Sequence, residues 1–178
     1  MRILQIHNAY RQKGGEDTIA AAEADLLSEA GHDVRRLIVT NPSGAAASAG
    51  KLALAAWNPG SARLVSGEVE AFGPDVAHVH NTWYSLTTST LSALRTAGVP
   101  TVMTLHNYRY TCLNGQLLRD GAICELCVGG STVRGIGYRC YRDSVASSAM
   151  ASVGAAAAHR SWRRDVDRFI VMTDFARA

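Results

Sequence analysis

Five short apolar segments alternate with longer amphipathic segments along this chain, and this alternation is the strongest constraint on its fold. The apolar segments are RILQI at 2–6, DVRRLIVT at 33–40, GPDVAHVH at 73–80, VPTVMTL at 99–105 and RFIVMT at 168–173. Such runs are typical of buried parallel strands. Alternation with helices predicts an α/β, Rossmann-like, mostly parallel sheet that right-handed crossovers cover with helices on both faces. The 178 residues suffice for one such domain.

Apolar residues three or four positions apart predict the helices between these strands. The helices are expected at 15–30, 61–72, 86–98 and 144–164. In the first helix the apolar face should consist of Ile19, Ala22, Leu26 and Ala30, and in the second of Leu64, Val65, Val69 and Phe72. Gly31 and Gly98 should end their helices, because glycine favours the left-handed conformation found there.

Ligands of such sheets bind outside the carboxyl ends of the strands. In this chain those ends lead into segments 7–15, 40–43, 80–84 and 106–109, which are rich in His, Asn, aromatic and small residues. Arg11, Lys13 and Arg109 could add positive charge there, or each could be a solvated surface charge. A functional site is therefore expected along this edge of the sheet.

Gly14 and Gly15 stand between the first strand and the first helix. Glycines at a helix N-terminus let a phosphate approach the free backbone N–H groups, but a pair of glycines also suits a tight turn with positive φ. The dinucleotide fingerprint and the Walker A lysine are missing. Glu16 and Asp17 would repel a phosphate, so they either point away or bind the hydroxyl groups of a sugar.

Histidines follow two of the predicted strands. His78 and His80 should share one face of their strand, so at most one of them should reach the edge of the sheet. His80 and His106 are the candidates for the site, where an imidazole can donate to a hydroxyl or stabilise negative charge. The alternative is a structural histidine held by hydrogen bonds.

Cys112, Cys124, Cys127 and Cys140 all lie in an irregular stretch at 107–143. Four thiolates, two of them in a Cys-x-x-Cys pair, could hold one structural zinc ion. The stretch has few large apolar residues and needs some cross-link to be ordered. Zinc, disulfides and free thiols all remain open, whereas a thioredoxin-like redox site is disfavoured because the pair does not begin a helix.

Charge and composition exclude several classes of protein. The net charge of +3 is too small to indicate nucleic acid binding. No apolar run is long enough to span a membrane and no secretory signal is present, which predicts a cytoplasmic protein. His159, Arg160, Trp162, Arg163 and Arg164 end the last long helix. This cluster could rest on an anionic membrane surface, or it could simply be the solvated end of a core helix.

Five ordered motifs together resemble a known family. They are RILQIHNAYRQKGGEDT, GPDVAHVHNTW, GVPTVMTLHNYRYTCLNGQLLRDGAICELC, RCYRDS and VDRFIVMTDFAR. In this order they resemble the N-terminal domain of family-4 glycosyltransferases of the GT-B fold, over nearly the whole chain. The cysteine-bearing motif resembles a subgroup associated with cell-surface polysaccharide assembly.

The resemblance implies a function and assigns roles to residues. Such enzymes transfer a sugar from a nucleotide-sugar to an acceptor with retention of configuration, without a metal for the chemistry. By position, Gly14 and Gly15 match the glycine loop near the donor diphosphate or acceptor, Glu16 would face the cleft, and His106 matches a catalytic histidine near the donor sugar. The remaining expected binding residues are His80, Asn81, Asn107 and Arg109.

The chain departs from the family in one large respect. The family's second domain binds the nucleotide-sugar through a pair of glutamates, and nothing in these 178 residues matches it. We therefore expect half of a cleft, negligible transfer by this chain alone, and a glycan or lipid-linked acceptor. The alternatives are a stand-alone Rossmann-like binding module with a zinc-stapled loop, and a nucleotide-binding oxidoreductase. The oxidoreductase is disfavoured because the second strand does not end in an acidic residue.

Overall fold

The computed structural model describes residues 1–10, 12, 14–41, 54–83 and 85–177. Most of the loop predicted after the second strand, at 42–51, lies outside these residues. The candidate basic residues Arg11 and Lys13 also lie outside them, as does Tyr84.

Seven strands and six helices are present in the described residues. In chain order they are β1 (Arg2–Ala9), α1 (Gly15–Glu29), β2 (Asp33–Thr40), α2 (Pro59–Phe72), β3 (Val76–Asn81), α3 (Thr87–Thr96), β4 (Thr101–Leu105), β5 (Leu118–Arg119), β6 (Ala122–Ile123), α4 (Arg134–Gly137), α5 (Val145–Asp165), β7 (Arg168–Val171) and α6 (Asp174–Arg177). The predicted mostly parallel α/β fold is confirmed. The irregular cysteine-bearing stretch carries the short antiparallel hairpin β5–β6 and the single turn α4.

The order of the strands in the main sheet is β2-β1-β3-β4-β7, and all of its pairs are parallel. The chain moves from β1 outward to β2 and then returns to β3 on the other side of β1. The order therefore reverses between β1 and β3, and this is the position where open α/β sheets bind their ligands.

The helices lie on both faces of this sheet. Helix α3 packs against both α2 and α5, while α1 contacts β1 and β2. Right-handed crossovers in opposite directions from β1 place α1 on the face opposite to the other three. Gly31, Gly73 and Gly98 follow α1, α2 and α3 with φ angles of 84°, 60° and 70°, so the predicted glycine stops at 31 and 98 are confirmed.

The two faces of the central strands differ in chemistry. Leu4 and Ile6 of β1 and Val79 of β3 are fully buried in the apolar core. The alternate residues of the same strands are polar yet also buried: Gln5, His7, His78 and His80 are at most 6% exposed. We call these four side chains the polar layer. Buried polar groups need hydrogen-bond partners, so the polar layer requires polar or backbone groups from the element that covers it.

The predicted apolar face of α1 is wrong. Ile19 is 39% exposed and Leu26 is 65% exposed, and Ala22 and Ala30 are exposed as well. The buried residues of α1 are Ala20 and Ala24. The physical reason is the polar layer, because it is matched by small side chains and a backbone carbonyl rather than by large apolar groups. On α2 the prediction holds for Val65 and Phe72, but Leu64 is 43% exposed.

The last strand forms one edge of the sheet. Within the described part of the chain β7 pairs with β4 alone, and Phe169 and Ile170 on it are 43% and 44% exposed. Just before it, α5 packs closely against α3 through small residues. Gly154 of α5 lies against Trp83 and the carbonyl of Ala55, so this helix depends on the lack of a side chain at that position.

Two glycines inside helices therefore should respond oppositely to alanine. Helix propensity alone favours alanine by roughly 1 kcal/mol at either position. We expect Gly67→Ala, on the exposed side of α2, to raise the free energy of unfolding by about 0.5–1 kcal/mol, because a Cβ there meets nothing within 4 Å among the described residues. Gly154→Ala should lower it by about 1 kcal/mol, because its Cβ would lie 3.2 Å from Trp83 Cζ3 and 3.3 Å from Ala55 O. Urea unfolding measures both, and equal stabilisation by the two variants would contradict this packing.

Candidate functional site

The loops after β1, β3 and β4 meet around one cleft at the carboxyl edge of the sheet. Six of the residues expected in the site line it together: Glu16, His80, Asn81, His106, Asn107 and Arg109. Glu16 Oε1 accepts a hydrogen bond from Asn107 Nδ2, which joins the start of α1 to the loop after β4. Gly14 and Gly15 immediately precede Glu16. The structure thus brings the double glycine and His106 to the same side of the molecule.

The two glycines are not required by the local backbone. Gly14 has φ −112° and ψ −179°, which is extended, and neither glycine has positive φ. A Cβ on Gly14 would make ordinary contacts at 3.6 and 3.7 Å, and one on Gly15 would meet nothing within 4 Å among the described residues. A turn that requires positive φ is therefore wrong as the explanation for the two glycines. The helix N-terminus at Gly15 is exposed to solvent.

Asp17 points into the protein rather than toward a ligand. Its Oδ2 accepts from the Gly14 N–H at 2.7 Å, and its Oδ1 lies 2.8 Å from His7 Nε2 and 3.3 Å from the Tyr10 N–H. Burial alone would raise the pKa of Asp17, but these hydrogen bonds hold it below its ordinary value. Asp17 therefore fixes the turn and is not available to a ligand.

Glu16 and Arg109 keep unused hydrogen-bonding atoms in the cleft. Glu16 Oε2 and Arg109 Nε are buried and have no hydrogen-bond partner among the described residues. The backbone of Arg109 is held by Asn107 Oδ1, which accepts from the Arg109 N–H at 2.9 Å. Unpaired buried polar atoms cost free energy, so an acceptor and a donor left open in one cleft point to a polar ligand.

Asn81 lines the cleft, but its amide is already engaged. Its Nδ2 donates to the Asn8 carbonyl at 3.1 Å, and its Oδ1 accepts from the Trp83 N–H at 2.8 Å. The observed partners therefore give Asn81 a role in holding the loop after β3 against the end of β1.

The histidines of β3 separate as expected, with one at the edge and one deeper. His78 Nε2 lies 2.8 Å from Thr104 Oγ1, and His78 Nδ1 lies 2.8 Å from Glu23 Oε1. His80 reaches the cleft, where its Nδ1 lies 3.0 Å from His106 Nε2. The rings of His80 and His106 are stacked with 5.3 Å between their centroids.

Burial sets the protonation of this cluster. Burial lowers the pKa of His78 to about 4 and that of His80 to about 3, with the neighbouring histidines adding to the effect. Burial also lowers the pKa of His106, although nearby Glu16 acts in the opposite direction. These imidazoles are therefore neutral at pH 7, and they act through hydrogen bonds rather than through charge.

Sequence reasoning missed the residues behind the site. Gln5 of β1 contacts His80, and Arg36 of β2 contacts Gln5. Glu23 of α1 joins His78 and lies 3.5 Å from His80 Nε2. The available signal was the alternation of Gln5 and His7 with apolar residues inside a strand that is buried on both faces.

In the described residues one group of side chains is close enough together to hold a metal ion, and a second group lines a common cavity but is more widely spaced. Ligand atoms of Glu23, His78 and His80 lie within 4.8 Å of one another, although each is already hydrogen-bonded within the protein. The second group is formed by the four cysteines, which line one cavity beside α4 and carry free thiols. No three of those sulfurs lie within 4.8 Å in the described chain, so a shared ion would require them to move together.

A second cavity adjoins the cleft. Its volume is about 200 Å³, and its lining includes His106, Asn107, Trp162 and Met172. Ligand pockets usually occupy about 300–1,000 Å³. The cavity that the described residues form beside His106 is therefore too small to enclose a ligand of ordinary size by itself.

The basic end of α5 is partly engaged within the protein. Trp162 packs on Tyr110 with 4.6 Å between ring centroids, and the Arg164 guanidinium pairs with buried Asp165 at 2.6 Å. Among the residues that the structure describes, no helix is both long and apolar enough to cross a bilayer.

Comparison with known proteins agrees with this geometry. A family model described as "Glycosyl transferase 4-like domain" matches residues 14–178. This chain belongs to that family. The match spans the double glycine, the cleft and the cysteine-bearing stretch of this glycosyl transferase 4-like domain. No curated protein matches the sequence of the domain.

The buried histidines make the stability of the domain sensitive to acid. Their folded pKa values of about 4 and 3 lie below the unfolded value of 6.5, so the unfolded chain binds more protons below pH 6.5. The stability that the two neutral histidines contribute should be fully present above pH 6.5 and should be lost as the pH falls toward 3. Between pH 7 and pH 5 the protonation of each histidine in the unfolded chain should lower the free energy of unfolding by up to about 2 kcal/mol. Glu23 partly offsets this loss, because burial raises its pKa and the folded protein therefore binds its proton more readily than the unfolded chain does.

Urea unfolding at pH 7 and pH 5 measures this dependence. The double variant His78→Gln, His80→Gln should be less stable at pH 7 but should lose much less stability between the two pH values. An unchanged slope in a folded double variant would contradict the assignment of the acid sensitivity to these histidines.

Proposed function

We propose that this domain is the N-terminal, acceptor-side half of a glycosyltransferase that moves a sugar from a nucleotide-sugar to an acceptor with retention. Membership of the glycosyl transferase 4-like family supports the transferase role. We assign the binding of the sugar to this cleft because two buried atoms in it, Glu16 Oε2 and Arg109 Nε, have no hydrogen-bond partner among the described residues. A sugar hydroxyl both donates and accepts, so polyhydroxylated ligands suit an acceptor and a donor in one cleft.

The residues of the cleft have different proposed roles. Gly14 and Gly15 leave the N-terminus of α1 open, where backbone N–H groups and the helix dipole favour a phosphate oxygen. The Arg109 guanidinium supplies a fixed positive charge in the same cleft. As the bond from the sugar to the phosphate breaks, negative charge develops on the departing phosphate oxygen, and His106, beside the reacting sugar, stabilises that charge. No metal ion is needed for these steps.

The nucleotide is held mainly by a second, donor-binding domain that closes over this cleft. The size of the adjoining cavity supports this part of the proposal, because its volume of about 200 Å³ is too small for a nucleotide-sugar. We therefore expect negligible transfer from the 178-residue chain by itself. Robust turnover by this chain alone would contradict the two-domain proposal.

Substitutions at the start of α1 test the cleft without disturbing the core. In the two-domain protein, Gly15→Ala should leave the unfolding midpoint within about 2 °C, because its Cβ meets no described atom. The same variant should lower kcat/KM by 10-fold or more if a phosphate approaches this backbone. Glu16→Gln should lower kcat/KM by about 10- to 100-fold, because it removes a charged acceptor.

Glu29→Gln is the matched control for these variants, since it makes the same change at the other, exposed end of α1. Transfer from a panel of nucleotide-sugars to glycan and lipid-linked acceptors is measured for each variant. Equal activity of the Glu16 and Glu29 variants would overturn the assignment of the cleft. Saturable binding of a ligand without turnover from any nucleotide-sugar would favour a stand-alone binding module.

The four cysteines form a structural zinc site in this proposal. They line one cavity, and the stretch that carries them has little regular structure. Zinc would draw four thiolates to about 2.3 Å from one ion and would cross-link the loop between β4 and α5. Binding requires deprotonation of thiols such as Cys127, whose pKa burial raises, so metal occupancy should rise with pH.

Metal analysis of protein purified under reducing conditions tests this site. We expect about one zinc per chain, and we expect Cys124→Ser to lower both the zinc content and the unfolding midpoint. Gly130→Ala, at an exposed residue of the same stretch where a Cβ meets nothing within 4 Å among the described residues, is the control and should change neither. Metal-free protein with an unchanged unfolding midpoint would exclude the zinc.

A lipid-linked acceptor would bring the domain to a membrane surface. Arg160 and Arg163 are exposed at the end of α5 and could contact anionic headgroups there. Cosedimentation with anionic and neutral vesicles measures this contact, and equal partitioning between the two would leave a glycan as the favoured acceptor.

A further inference from the structure

A row of polar side chains runs from β2 through the sheet to the cleft, and its two middle members, Gln5 and His80, are buried. Arg36 Nε lies 3.1 Å from Gln5 Oε1, Gln5 Nε2 lies 3.2 Å from His80 Nε2, and His80 Nδ1 lies 3.0 Å from His106 Nε2. Each of these distances is within hydrogen-bond range. Because every link has one donor and one acceptor, fixing the first link determines the others.

The orientation of the Gln5 amide is fixed by two neighbours that each have a single role. The Arg36 guanidinium can only donate, so the atom of Gln5 that faces it must be the carbonyl oxygen. The backbone carbonyl of Ala20 can only accept, and it lies 2.8 Å from the other end of the amide. Gln5 therefore directs an N–H toward His80.

This N–H selects one tautomer of His80. A neutral imidazole has one protonated and one unprotonated nitrogen, so a donor at 3.2 Å requires the lone pair on Nε2. The proton then resides on Nδ1 and is donated to His106 Nε2. Glu23 competes for a proton on His80 Nε2, but its Oε2 is more distant, at 3.5 Å, and its Oε1 already lies 2.8 Å from His78 Nδ1.

The same reasoning extends to His106. Its Nε2 accepts from His80, so in the neutral ring the proton is on Nδ1. Within the described residues Nδ1 has no hydrogen-bond acceptor, and His106 lines both the cleft and the adjoining cavity. The cleft thus holds an N–H group without a partner in the protein.

We propose that Gln5 is a positioning residue that acts through His80 to hold His106 as the Nδ1–H tautomer. His106 then presents a hydrogen-bond donor to an oxygen of the ligand, either a sugar hydroxyl or a phosphate oxygen, and it does not serve as a general base. The tautomer follows from the protein alone, whereas the ligand that it serves rests on the proposed function.

Nitrogen-15 NMR of histidine-labelled protein measures the tautomer directly, because protonated and unprotonated ring nitrogens have well separated shifts. At pH 7.5 we expect His106 Nε2 to be unprotonated and Nδ1 to be protonated, and we expect the same for His80. His106→Gln assigns the signals by their loss. A protonated His106 Nε2 in the unmodified chain would overturn the proposal.

Gln5→Glu tests the cause, because a carboxylate at this position accepts where the amide donated. It keeps the partner of Arg36 but requires a proton on His80 Nε2, so both His80 and His106 should change to the opposite tautomer. Gln116→Glu makes the same substitution at an exposed glutamine and should leave both rings unchanged. An unchanged tautomer in a folded Gln5→Glu protein would overturn the proposal.

Gln5→Met provides a second test that places no charge in the interior, in case Gln5→Glu fails to fold. It removes the N–H that His80 Nε2 accepts and leaves Glu23 as the nearest acceptor for a proton on that nitrogen, so His80 and His106 should no longer be held in the Nδ1–H tautomer. A single Nδ1–H tautomer of both rings in folded Gln5→Met would contradict the role of Gln5.

Turnover by the two-domain protein tests the role of His106 toward the ligand separately from the tautomer assignment. Gln5→Glu should lower kcat by about 10- to 100-fold with little change in KM, because the lost donor acts on developing charge. Inverted tautomers with unchanged kcat would overturn the donor role of His106. Absence of transfer by the unmodified protein would instead refute the proposed function and leave the tautomer assignment standing.

Discussion

The polar layer between the central strands and α1 is the constraint on which the rest of this domain depends. Gln5, His7, His78 and His80 are buried, and among the described residues each of their polar side-chain atoms except His7 Nδ1 has a hydrogen-bond partner. Such partners are needed because an unpaired polar atom in that position costs free energy. The covering helix therefore presents Ala20, Ala24 and Glu23 rather than large apolar groups. The layer also extends to the carboxyl edge of the sheet, where it connects the interior with the cleft.

The fold could be predicted from the sequence because its signals are local. Alternating apolar and amphipathic segments gave the strands and helices to within a few residues, and glycines at 31 and 98 marked helix ends. The inner face of α1 could not be predicted in this way. Periodicity identifies the most apolar face of a helix, with Ile19 and Leu26, and assumes that the opposing surface is apolar as well.

The candidate site was predictable in its location but not in its connections. The carboxyl-edge rule placed Glu16, His80 and His106 together, although they are far apart in the chain. The supporting residues Gln5, Glu23 and Arg36 come from three different elements, and only the paired geometry of β1, β2 and β3 brings them into contact. No spacing in a single sequence encodes such contacts across strands.

The edge strand β7 has a practical consequence for work with this 178-residue chain. No described strand pairs with its outer side, so the backbone there lies next to the exposed side chains of Phe169 and Ile170 without a strand partner from the described residues. Strands of this kind template the growth of intermolecular sheets, and a flanking charge such as that of Arg168 only slows the process. In concentrated samples the monomer should therefore be lost to self-association at this edge under conditions in which the domain is still folded.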